Sequence, residues 1–118
     1  MKPHPLDWIV EPLAEEPGFY AKPMFGCRGC YFRGSLVFVL AAKEEPWRGL
    51  LIPTEKHHHE GLRSEFRELT VHPELGKWLY LSEGSESFEE VATELVEAVL
   101  RGEPRIGVES EAAQLSRL

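Results

Sequence analysis

Two apolar runs parted by Arg33-Gly34-Ser35 constrain this chain most: Gly29–Phe32 (GCYF) and Leu36–Ala42 (LVFVLAA). Both are rich in β-branched and aromatic residues, and Gly34 can supply the positive φ that a tight turn demands. They predict a β-hairpin. Phe19–Phe25 (FYAKPMF) reads as extended too, but Pro23 cannot donate to a ladder and demotes it to an edge strand. Gly49–Pro53 (GLLIP) predicts a third strand of the meander, stopped by its own proline. Lys77–Ser82 (KWLYLS) sets Trp78 and Tyr80 against Leu79 and Leu81, the alternation of a half-buried strand. Arg105–Val108 (RIGV) adds a last short strand.

Helices complete the plan. Phe88, Val91, Ala92, Leu95, Val96, Val99 and Leu100 recur at i, i+3, i+4 and i+7, one face of an amphipathic helix. Ser87 and Glu90 predict a capping box at its start, and Gly102 with Pro104 ends it. Leu6, Ile9, Val10 and Leu13 have helical spacing, but Pro12 predicts a short or broken helix. Thr54 reads as the N-cap of a further short helix with Leu62, Phe66 and Leu69 inward. The expected fold is α+β: a single domain, a mainly antiparallel sheet packed against a long C-terminal amphipathic helix and a short N-terminal helix. It spans residues 1–108, with a polar, weakly helical tail over 109–118.

The chain has 118 residues, one domain's worth, and is 42% hydrophobic, enough for a core without staples. Its longest apolar run, Ser35–Ala42, is far short of the roughly 20 residues that span a membrane. The opening MKPHPLDW has no apolar h-region, so no secretory signal and a cytoplasmic location are expected. The net charge of −7 argues against non-specific nucleic-acid binding. That charge is unevenly placed. Ser82–Glu103 holds seven acids and one base, whereas Pro17–Lys43 holds no acid and four bases: Lys22, Arg28, Arg33 and Lys43.

Cys27 and Cys30 form a C-x-x-C pair. Zinc needs four convergent ligands, and the missing two would have to come from His57, His58 and His59. Residues three apart on a strand point to opposite faces, and adjacent histidines on a helix diverge by about 100°. A redox pair needs a helix to follow, and none does. The expected reading is two small apolar fillers, with no metal and no cofactor. No nucleophile elbow, dinucleotide fingerprint or P-loop occurs.

The segments KPMFGCRGCYFRGSLVFVL, GLLIPT and WLYLSEGSESFEEVATELVEAVL together resemble the TfoX N-terminal domain family. Met24-Phe25-Gly26, Gly29 and Gly34 fall on that family's landmarks, and the likeness covers roughly residues 6–108. It implies the α+β fold above more than an activity, and carries over no catalytic residues. Cys27 and Cys30 depart from the pattern, standing where it has glycine and an aliphatic strand residue. The full-length regulators of that family continue into a helical second domain beyond the stretch the likeness covers. A more distant resemblance is to MmcQ/YjbR-like proteins.

The leading expectation is therefore a non-enzymatic binding or regulatory module, with a protein or a second copy of itself as partner. Its surface would be the basic hairpin: Lys22, Arg28 and Arg33, with Tyr31 beside them. The alternatives are an anion-binding protein or enzyme using Arg28 and Arg33, whose guanidinium groups suit carboxylate or phosphate, and a zinc protein using Cys27, Cys30 and His57–His59.

Overall fold

The computed structural model describes residues 2–109. A 3₁₀ turn, Asp7–Val10, runs into helix α1 (Glu11–Ala14) with Pro12 in its first turn, where a missing N–H is harmless. Strands β1 (Phe19–Met24), β2 (Cys27–Phe32), β3 (Ser35–Ala42) and β4 (Arg48–Ile52) follow as an antiparallel meander. A 3₁₀ turn, Lys56–His58, leads into α2 (His59–Glu65). Then come β5 (Thr70–Val71), β6 (Leu79–Ser82), α3 (Phe88–Leu100) and β7 (Val108–Glu109). The seven-stranded sheet has the order β1-β2-β3-β4-β6-β5, with β7 added to β3 at Ser35 and Leu36. This is the α+β domain that the sequence predicts.

The hairpin expected at Arg33-Gly34 is present, and a second precedes it. Both loops are two residues long, Phe25-Gly26 and Arg33-Gly34, and all four residues have positive φ (54°, 73°, 51° and 88°). That is the signature of type I′ turns, whose twist matches the flanking strands. Of the extended segment expected over Phe19–Phe25, Phe19–Met24 is an edge strand paired along its length with β2 despite Pro23, while Phe25 belongs to the turn.

The sheet buries both faces. One core cluster joins Cys30, Phe32, Leu40, Leu50, Ile52, Leu79 and Leu81 to the inward stripe of α3 and to Leu13, Leu62 and Phe66. The other holds Cys27, Tyr31, Leu36, Val39, Leu51, Trp78 and Tyr80, with Trp47 and Leu75 packed on it, and takes nothing from a helix. β6 is therefore buried on both sides, not on one. At Gly49 (φ 143°) a Cβ would come within 2.2 Å of the Leu81 carbonyl oxygen, so only glycine allows β4 and β6 this close.

Three local expectations need correction. Ser87 does precede α3, but its side chain makes no capping bond. Its ψ of 18° lies outside the extended region a capping side chain needs. The Phe88 N–H donates instead to the Ser85 carbonyl. Thr54 caps nothing; its buried hydroxyl donates to the Arg105 carbonyl at 2.6 Å. The last strand is Val108–Glu109, so Glu109 belongs to the sheet and not to the tail. The rest of that tail lies outside the described residues. At its C-terminus α3 ends as a Schellman motif, with Gly102 (φ 88°) donating to Val99 and Glu103 donating to Ala98.

Candidate binding surface

The two cysteines share a strand but not a face. Cys30 lies in the helix-covered core and Cys27 in the other cluster. Burial pushes the Cys30 thiol up to about 12, and burial also raises Cys27, opposed by the Lys43 ammonium. The three histidines are elsewhere. His57 and His58 pack ring on ring at 4.0 Å, and His59 Nε2 is bonded to the Lys77 carbonyl. Among the described residues no three His, Cys, Asp or Glu side chains converge as metal ligands do.

Nor do the arginines form one site. Arg28 lies near the start of β2 and Arg33 in the turn beyond its end, on the order of 15 Å away at strand spacing. The Arg28 side chain is 13% exposed and forks onto Asp7 at 2.7 and 2.9 Å; it also donates to the Lys2 carbonyl. Burial would raise the Asp7 carboxyl, but the His4 N–H and the Arg28 guanidinium more than offset this and hold it below its ordinary value. Arg28 thus clips the N-terminal turn to the sheet. Arg33 occupies the first position of its turn and lies 4.6 Å over the Phe32 ring.

Lys22 and Tyr31 do come together. Tyr20 and Tyr31 face each other across β1 and β2 with parallel rings 4.7 Å apart, and the Lys22 ammonium sits 4.9 Å from the Tyr31 ring. At the end of the same hairpin is Phe25, in the left-handed region and 59% exposed. A bulky residue there is a genuine outlier, costing about 1–2 kcal/mol. The Lys43 ammonium braces the turn, donating to the Phe25 carbonyl at 2.6 Å. It also lies 5.9 Å from the Trp47 ring, which meets Phe25 edge-on at 6.4 Å.

A rigid polar network stands behind Trp47. Its indole N–H donates to Glu74 at 2.9 Å, and its ring packs edge-on against His72 at 4.7 Å. His72 is fully buried. Its Nδ1 accepts from the Glu74 and Leu75 N–H groups, which leaves Nε2 to donate to the Pro46 carbonyl at 2.6 Å. Tyr80 shares its hydroxyl with Glu45 and the Arg48 backbone, and burial together with the Glu45 carboxylate raises its pKa. No buried side-chain nitrogen or oxygen among the described residues lacks a partner. The network is filled and fixes Trp47.

Lys22, Tyr31 and, among the four bases, Lys43 stand out in the sequence, but nothing there joins Lys43 to Phe25 and Trp47. Phe25-Gly26 between two extended runs was the available signal for the first turn. Phenylalanine in front of that glycine hid it, since asparagine or aspartate normally stands there. Across family models, curated proteins and solved structures, nothing matches the chain. No helix among the described residues is long and apolar enough to cross a membrane.

Proposed function

We propose that this protein is a non-enzymatic binding module, and that its recognition element is the Phe25-Gly26 end of the first hairpin. The observation that carries this reading is Phe25 itself: a large aromatic ring, mostly exposed, held in a backbone conformation that favours glycine or asparagine. Strain of this kind persists where function requires the side chain. Aromatic residues are enriched at protein interfaces, where they serve as anchors. Lys22 and Lys43 add cations, and the stacked Tyr20–Tyr31 pair extends the apolar patch. Arg28 leaves the set, because its guanidinium is spent on Asp7. Met24-Phe25-Gly26, the landmark of the TfoX N-terminal resemblance, would be the contact point of such a module.

A photoreactive benzoylphenylalanine placed at position 25 in living cells tests this. Discrete crosslinked species are expected there, and none from the same group at exposed Arg67. Equal yields at the two positions would overturn the reading.

A further inference from the structure

Phe25 has a receptor of matching shape and charge on this chain's own surface. Trp8, Ile9 and Pro12 of the N-terminal segment and Val96 and Leu100 of α3 line an apolar groove of about 260 Å³. An apolar cavity of about 150 Å³ already accepts a benzene ring. Trp8 is 39% exposed, so one wall of the groove is an indole only partly covered by its packing on Phe88. Glu97 stands on the rim. The other side of Trp8 borders a polar bowl that includes Glu86, Glu89 and Glu90.

The charges on the two surfaces are complementary, and the lysines meet a carbonyl and aromatic rings but no carboxylate. Lys22 and Lys43 take part in no ion pair among the described residues, and neither do Glu86, Glu89, Glu90 or Glu97. They cannot pair within one chain. The groove belongs to the helix layer, whereas Phe25 and Lys43 meet Trp47 on the sheet's helix-free side. Only a second molecule brings them together.

We infer that the partner of the hairpin end is a second copy of this chain, with Phe25 entering the Trp8–Val96–Leu100 groove and the lysines facing the glutamates beside Trp8. This rests on the proposed role of Phe25 and names its partner. Two copies can exchange hairpin ends reciprocally, which closes the assembly at a dimer. One ring covers only about 150–250 Å², well under the roughly 1,200 Å² of a stable interface, so the dimer is reversible. It weakens with salt, because the facing charges lie at the rim.

Sedimentation velocity with the purified chain is the test, run between about 0.02 M and about 0.5 M salt. A concentration-dependent dimer is expected at the low end and a weaker one at the high end. Phe25→Asn suits the turn and should raise the dissociation constant at least about tenfold. Thr93→Arg, on the exposed edge of the groove, should do the same. Circular dichroism confirms that each variant is folded. The two variants are then mixed in equal amounts. One retains the groove and the other retains Phe25, so one contact of the two is restored and the mixture should associate more tightly than either variant alone. No gain on mixing overturns the groove as receptor. A wild type that stays monomeric at low salt overturns the second copy as partner. The crosslinking in cells then separates the two failures: adducts at position 25 at masses other than twice the chain keep the hairpin as a binding element, and their absence removes it as well.

Discussion

Thiol chemistry offers a sharp check on how β2 places its two cysteines. Three residues along a strand span about 10 Å, and a disulfide needs Cα atoms closer than about 7 Å. Cys27 and Cys30 also occupy different clusters on either side of the sheet. An internal disulfide would therefore require β2 to leave the sheet. Reactivity separates the two thiols further. With the Cys30 thiol pushed up to about 12 by burial, roughly one in ten thousand is ionised at about pH 8, against roughly a quarter for free cysteine. Cys30 should be alkylated far more slowly than free cysteine in the native state, even though its rarer thiolate is the stronger nucleophile. Its complete burial slows it again. Mass spectrometry of the native protein after iodoacetamide, with and without diamide, reads both effects. Slow labelling, confined first to Cys27, and no internal disulfide are expected. Rapid double labelling, or an intramolecular disulfide in the folded state, would refute the placement of β2.

Other consequences follow from the core and its ion pairs. Leu95→Ala removes a fully buried side chain from the α3 stripe and should cost about 2–5 kcal/mol in urea melts; a loss under about 1 kcal/mol would put that stripe outside the core. Gly49→Ala should prevent β4 and β6 from pairing as they do, because its Cβ would meet the Leu81 carbonyl at 2.2 Å; amide exchange of β6 should rise sharply, and unchanged protection would contradict the register. Arg28→Ala should cost about 1–2 kcal/mol at neutral pH through the Asp7 clip, a figure already lowered for the partial exposure of Asp7. Glu103 is held down to about 2, chiefly by its hydrogen bond from Arg105. A depressed carboxyl stabilises above its ordinary value and loses that contribution as the pH falls toward its folded value. Stability lost between about pH 4.5 and pH 2 should therefore be smaller in Glu103→Gln than in the wild type.

The main elements were legible because their patterns are local. The α3 stripe, the Arg33-Gly34 hairpin and the alternation of β6 each come from spacing within about a dozen residues. What the sequence hid depends on contacts across the fold. β5 is two residues long, too short to carry a period, and exists through its pairing with Tyr80 and Leu79. Arg28 reads as a free cation until the chain folds and Asp7, 21 residues earlier, arrives beside it. Thr54 reads as a cap until Arg105 closes over it. Lys43 and Trp47 reach Phe25 only because β3 returns past the first hairpin. The acid-free stretch contains the hairpin proposed as the binding element, but shows it only as a list of charges. Its most exposed apolar residue was overlooked because it carries none.

The claim that Phe25 is kept for contact and not for folding is tested most directly by the stability of Phe25→Asn. With the side chain 59% exposed, about two-fifths of a ring's 150–250 Å² is lost from packing, worth roughly 1.5–2.5 kcal/mol as an upper bound. Relief of the left-handed strain returns about 1–2 kcal/mol, since asparagine accepts that conformation. The two nearly cancel. Urea melts of monomeric protein at high salt should place the variant within about 1 kcal/mol of the wild type, with the same slope. A loss of about 2 kcal/mol or more would make Phe25 a folding residue and contradict its assignment to a binding surface.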